Sequence, residues 1–184
     1  KYIAADAVAL WMAAAPSRRI SLSQSDSRET EPDVVVDSLP PKTCARVEKF
    51  SERMMLAAPE NLIFSRIPVP LDELRELDFV SLSSSSGFTR FTKELCVSIG
   101  FTPRISFESD NPSVVRKMIG LGLGVGFWPE QSWGETRGEG VALLPLDIQQ
   151  KREVFVWLSS TAVDNPLALS LYDYLCNYFQ RCFS

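Results

Sequence analysis

The stretch FESDNPSVVRKMIGLGLGVGFWPE, residues 107–130, decides what kind of fold this chain adopts. Residues 105–108 end a strand and 109–111 make a polar turn. Val114, Val115, Met118 and Ile119 then set one apolar face of a short helix from about Ser113 to Ile119. After it Leu123, Val125 and Phe127 alternate until Pro129 stops a second short strand. Glycines at 120, 122, 124 and 126 lie between helix and strand. A dinucleotide-binding loop needs a strand before its glycines and a helix after them, and here the order is reversed. Gly120 or Gly122 therefore reads as a helix C-terminal cap with positive φ, and Gly124 and Gly126 as places where the backbone passes close to a neighbour.

Upstream, residues 104–108 and 78–82 read as strands rich in residues that suit a buried sheet. Ser83–Ser86 cap a helix from about Phe88 to Ile99, and LDEL (71–74) makes a helical turn. Residues 53–58 form a strand closing on a proline loop. Val34–Val36 is a continuous apolar strand of the kind buried in a parallel sheet. Residues 24–33 are a polar loop and 19–24 alternate as a strand. Residues 3–15 are alanine-rich and apolar nearly all round, predicting a buried helix ended by Pro16, with a strand remnant at 2–5. Downstream come a polar excursion (131–140), an alternating strand (153–158) and a last helix (165–183) with Leu167, Leu171, Leu175 and Tyr178 on one face.

With 184 residues, 45% hydrophobic and 23% charged, the chain is long enough for one large domain or two small lobes around a real core. A formal charge of −4 argues against a nucleic-acid grip by this segment, which needs clustered Lys and Arg; Arg18 and Arg19 are the nearest approach. Apolar runs fall short of the roughly 20 residues that span a bilayer. Lys1 and Tyr2 followed by IAADAVALWMAAAP faintly imitate a signal peptide, but Asp6 interrupts it, so the start reads as a boundary and the protein as cytoplasmic. The cysteines at 44, 96, 176 and 182 show no metal-type or thioredoxin-type pairing and read as reduced thiols, with Cys96 and Cys176 as small buried hydrophobes. Histidine is absent, which removes Ser-His-Asp and Cys-His catalysis and the usual zinc sites. Neither G-x-S-x-G nor G-x-x-x-x-G-K-[ST] is present. No catalytic residue, metal or cofactor is expected.

Taken in order, these segments resemble the effector-binding domain of LysR-type transcriptional regulators. Helix, GLGVGF and WPE resemble that family's "GLGI..LP" segment, and DVVVDSL its "lDlai" strand. FSERMMLAAPEN resembles its crossover strand, IPVPLDELRELDFVSLSSSSGFTRF its "v.l.dL...p.i....sg.r" segment, and NPLALSLYDYLCNYF its closing "..alraFldfL" helix. From residue 33 onward the resemblance is nearly continuous. It implies an α/β fold of two lobes with mixed, mainly parallel sheets flanked by helices, like type II periplasmic binding proteins. Lobe I would comprise 1–58 plus 161–184 and lobe II 59–160. The family's first strand and longer helices are missing or shortened here, so either the first lobe is abbreviated or the sequence omits part of it.

In open α/β sheets ligands bind beyond the carboxyl ends of strands, where helix N-termini present free N–H groups. Two places qualify: Ser84, Ser85 and Ser86, with Arg90 one turn into the helix, and Ser109 to Ser113, with Asn111 or Asp110 as N-cap and Pro112 at the first helical position. Serine or asparagine before a helix also serves as a plain cap, and Arg90 as a solvated charge. The resemblance places an effector cleft between the lobes at matching positions and adds Ser38, beside Asp37, from the first lobe. Phe127, Trp128 and Trp133 would wall the pocket or pack in the core. Hydroxyls and helix N-termini suit a small carboxylate, whereas Glu108, Asp110 and Asp37 suit an amine or polyol. The function implied is effector sensing for a regulator: a small-molecule effector, homo-oligomerisation through lobe I, DNA contact only through a winged helix-turn-helix that this chain lacks, and no membrane partner. A transporter's solute-binding protein is the alternative, and an enzyme on an α/β scaffold the weaker rival.

Overall fold

The computed structural model describes residues 2–15, 17–23, 31–83, 87–136 and 138–183. Its elements in chain order are helix α1 (Tyr2–Ala13), strands β1 (Val34–Asp37), β2 (Arg46–Glu52) and β3 (Met54–Pro59), a 3-10 turn at Leu71–Leu74, β4 (Asp78–Leu82), α2 (Gly87–Ser98) and β5 (Arg104–Ser109). They continue with α3 (Pro112–Gly120), β6 (Gly126–Pro129), α4 (Glu130–Trp133), β7 (Val141–Pro145), β8 (Arg152–Leu158), a 3-10 turn at Ser160–Ala162 and α5 (Pro166–Cys182). Contacts divide the chain into two compact units, Lys1–Ser51 with Glu153–Ser184, and Glu52–Arg152. The chain therefore passes between units at 51/52 and 152/153, where the sequence places the crossings near 58 and 161. The difference arises because β3 is the middle strand of the second unit's sheet, whose order is β6-β3-β7.

In the first unit the sheet order is β1-β8-β2. The strand read as VVV in a parallel sheet is instead an edge strand, antiparallel to β8 with Val34 opposite Leu158 and Asp37 opposite Phe155. Its apolar run comes from partial cover rather than burial on both faces: Val35 is buried and its neighbours half-buried. The segment predicted as a strand at 19–24 has no strand in its described residues 19–23, and Gln24 lies outside them. Residues 2–5 belong to α1. Helix α1 is apolar nearly all round, with Asp6 exposed, yet buries one face only, through Ile3, Ala7, Val8 and Trp11, leaving Leu10 53% exposed. That face meets α5, where Trp11 Nε1 donates to Ser170 Oγ at 3.3 Å. The buried face of α5 is Ala168, Tyr172, Leu175 and Phe179; of the predicted Leu167, Leu171, Leu175 and Tyr178, Leu175 lies in that face, Leu171 and Tyr178 are half-buried against the same core, and Leu167 is exposed. Both stripes have helical spacing, and contact with α1 and the sheet selects between them. Phe50 of β2 closes this core, 5.5 Å from Phe179 and 5.7 Å from Phe183.

The second unit is built round β3, whose Leu56, Ala57 and Ala58 are fully buried. Pairing is antiparallel to β6 and β7. Strand β7 falls just beyond the predicted polar excursion, its VALLP run too short to signal itself. Strands β4 and β5 are parallel, with Leu82 opposite Ser109. Val125 joins the two sheets: its N–H donates to the Asp78 carbonyl and its carbonyl accepts from Val80 N–H, both at 2.8 Å. This close approach explains the glycines. A Cβ on Gly124 would collide with the Asp78 carbonyl, and one on Gly126 would lie 2.9 Å from both the Val80 carbonyl oxygen and Ile119 Cδ1. Helix α3 ends in a Schellman motif, Gly122 N–H to Ile119 O at 2.8 Å and Leu123 N–H to Met118 O at 3.1 Å, which puts Gly122 at φ +83°.

All four cysteines are free. Burial pushes the thiols of Cys96 and Cys176 up from 9.0 to about 11. Their folded values lie above the unfolded ones, so the stability they contribute is whole below pH 9 and is lost as pH rises through 11. Melting temperature should accordingly fall between pH 9 and 11, less so in a Cys96→Ala/Cys176→Ala variant, and a thiol reagent at neutral pH should label the exposed Cys182 ahead of Cys96. Chemical denaturation should separate the two glycine effects. Gly126→Ala forces an overpacked contact and should cost roughly 1 to 3 kcal/mol. Gly122→Ala, with open space around it but left-handed backbone, should cost about 1 kcal/mol.

Candidate functional site

Parallel pairing brings the carboxyl ends of β4 and β5 to one edge of the second unit, and each is followed by a helix, α2 or α3. Ser83 N–H donates to the Ser109 carbonyl at 2.9 Å, extending the pairing past the strand ends. Ser109 Oγ accepts from Asn111 N–H at 3.2 Å, and Asn111 Oδ1 accepts from Ser113 N–H at 2.9 Å. With Pro112 as first helical residue, this is the cap arrangement read from DNPS. On the other helix Thr89 Oγ1 donates to the Leu82 carbonyl at 3.2 Å, tying the start of α2 to the end of β4.

The predicted site residues fall into separate groups. Ser109 and Asn111 stand together at this edge, while Ser84, Ser85 and Ser86 lie outside the described residues. Arg90 is exposed on α2, 3.9 Å from Glu94 one turn on, which is the solvated helix charge of the plainer reading. Phe127 is 7% exposed and packs 5.6 Å from Phe79 in the core. It also lines a cavity of about 20 Å³ shared with Ser81, Phe88, Thr92 and Trp133. That is room for one water rather than a metabolite. In the first unit Ser38 follows β1, and the Asp37 carboxylate accepts from Ser38 N–H at 2.6 Å and Leu39 N–H at 3.3 Å. Glu108 and Asp110 are exposed.

A buried charged cluster escapes a local reading of the sequence. Glu52 is 1% exposed, and its carboxylate accepts from Ser132 N–H at 2.9 Å, from Ser132 Oγ at 2.8 Å and from Arg152 Nη1. The Arg152 guanidinium lies over the Phe88 ring at 5.8 Å. Phe88 is 4.9 Å from Trp133, which meets Trp128 edge-on at 4.8 Å, and Trp128 Nε1 donates to the Gly134 carbonyl at 2.8 Å. Glu52 and Arg152 are 100 residues apart, so no spacing rule pairs them. Among the described residues no group of three or more His, Cys, Asp or Glu is placed to hold a metal ion, and no helix is long and apolar enough to cross a membrane.

The family model of the LysR substrate binding domain matches residues 1–180. Among curated relatives, the chain is 24% identical over 134 residues to the transcriptional dual regulator GltC of Bacillus subtilis, covering 72% of this chain and 45% of that protein. It is 25% identical over 118 residues to the HTH-type transcriptional regulator XapR of Escherichia coli, covering 64% of this chain and 40% of that protein. The chain thus spans less than half the length of these relatives. Among solved structures, the CcmR regulatory domain of Synechocystis PCC6803 in complex with 2-PG superposes with a TM-score of 0.80 at 16% identity, covering 97% of this chain and 92% of that one. Order of elements, strand-end geometry and these matches agree: the chain belongs to the LysR substrate binding domain family, the effector-binding regulatory part of LysR-type transcriptional regulators.

Proposed function

We propose that the chain senses a small polar metabolite at the carboxyl ends of β4 and β5, and that occupancy there is relayed to a DNA-binding region of the whole protein. The parallel strand pair carries this reading, because it gathers Ser83, Ser109, Asn111 and the starts of α2 and α3 at one edge. Helix N-termini and hydroxyls together favour an anionic or multiply hydroxylated effector. A solved relative of like fold, the CcmR regulatory domain, carries 2-PG. Ser84, Ser85 and Ser86 belong to this proposed site by sequence position.

Regulation requires that the effector favour one conformation of the domain over another, since equal affinity for both shifts nothing. The whole protein, in this reading, works in the cytoplasm, has no catalytic step, and self-associates through the first unit, where Leu10 of α1 stands 53% exposed. Sedimentation at micromolar to millimolar concentration checks the last point, a clean monomer counting against it. The transporter alternative is not favoured by a family of transcriptional regulators.

A thermal-shift screen of metabolites should yield a compound that, at 100 times its dissociation constant, adds about 2.7 kcal/mol of stability. Paired melting and calorimetry then separate caps from contacts. Asn111→Ala should cost about 1 kcal/mol of stability through the lost cap. Ser109→Ala should leave stability within roughly 0.5 kcal/mol and weaken binding by about 1 kcal/mol or more. If alanine at 84, 85, 86 and 109 lowers the melting point in every case and changes no dissociation constant, the effector binds elsewhere.

A further inference from the structure

We propose that Glu52 and Arg152 are positioning residues for the effector site: the buried pair holds a guanidinium cation over the Phe88 ring and so fixes the first turn of α2. The inference rests on the functional reading above. Its starting point is the Glu52 carboxylate, enclosed and held by three donors, two from Ser132 and one from Arg152. A carboxylate held in this way has one orientation, and it fixes the position of the guanidinium nitrogen bonded to it. The Arg152 side chain is 12% exposed, and its guanidinium lies 5.8 Å from the Phe88 ring, within the range of a cation–π contact. Phe88 is the second residue of α2, and Thr89, the third, is bonded to the end of β4. On the other flank of the serines, Ser83 is bonded to Ser109. Both described flanks of residues 84–86 are thus anchored, one by backbone pairing and the other by an aromatic ring under a buried cation.

An ion pair is a poor choice if stability alone is wanted, since an apolar pair of similar volume packs as well or better. What a planar guanidinium adds is a fixed face for the ring, which a lysine ammonium does not supply. Charge and plane therefore predict different outcomes, and Arg152→Lys separates them.

The experiment is hydrogen–deuterium exchange on the chain, paired with thermal melting, for Arg152→Met, Arg152→Lys and Phe88→Leu. Arg152→Met should speed exchange in residues 87–92 about tenfold and lower the melting temperature. Arg152→Lys should recover most of the melting temperature and leave residues 87–92 fast. Phe88→Leu, which spares the buried pair, should give the same local acceleration, and Arg152→Met should add little to it. The proposal is overturned if Arg152→Lys restores slow exchange at 87–92, if acceleration spreads evenly over 52–152, or if Phe88→Leu leaves 87–92 unchanged. Should Arg152→Met fail to fold, the Lys and Leu variants decide the question. Failure of the effector reading shows separately, as a metabolite screen in which no compound raises the melting temperature, and it leaves the exchange result standing.

Discussion

Val125 bonds β4 twice, donating to the Asp78 carbonyl and accepting from Val80 N–H, and the glycines on either side of it allow the approach. Each bond contributes only about 1 kcal/mol net. Their position gives them weight, since they join the β4–β5 pair to the sheet centred on β3. Residues flanking Val125 must come close enough to touch another backbone, and only glycine does so at 124 and 126 without displacing a carbonyl. Helix α3 must also end sharply to deliver Val125 there, which the Schellman turn at Gly122 accomplishes. The serine-bearing strand ends are therefore placed by contacts made near the opposite ends of the same strands.

The charges follow a different economy. Lys49–Glu153, Arg53–Glu130 and Arg66–Asp147 are substantially exposed ion pairs at 3.0, 2.9 and 2.6 Å. Pairs of this kind typically contribute 0 to about 1 kcal/mol each. Glu52 with Arg152 differs from these: both are largely out of water, and removing one partner of such a pair costs about 3 to 5 kcal/mol because the other is stranded. That penalty makes the geometry of the cluster resistant to drift, whatever it adds to net stability.

Much of this was legible because the deciding signals are local. Asn111, Pro112 and Gly122 announce the start and stop of α3 within a dozen residues, and the structure shows the predicted cap bonds. The order read from the sequence, helix then glycines then strand, is the order of α3 and β6 in the structure. Readings failed where the answer depends on distant partners. Val34–Val36 has the composition of a central strand, but its neighbour β8 lies more than 100 residues on and pairs antiparallel at the sheet edge. On α5 the predicted Leu175 is buried and Leu171 and Tyr178 flank the core, whereas Leu167 gives way to Ala168 because helical periodicity allows two adjacent stripes and contact with α1 chooses between them. The alternation at 19–23 is matched by no partner strand among the described residues. At the proposed site, cap chemistry marks Asn111, whose N–H donates to Ser109 Oγ. Arg152 and Glu52 carry no such mark, since an arginine opening a strand and a glutamate closing one look like ordinary surface residues until the fold brings them together.

The second unit is one uninterrupted run of chain inserted into the first, and this orders events during synthesis. The middle strand of the first unit's sheet, β8, and its longest helix, α5, both lie after residue 151. When the ribosome has released residues 1–51, β1 and β2 have no strand between them, and the apolar face of α1 has no helix to meet. All of 52–152 must emerge first. The inserted unit is therefore free to fold while the peptide is still being made, and residues 1–51 wait for their partners until it has emerged. During that interval the exposed apolar surface of α1 and the VVV strand is what a nascent-chain chaperone would meet.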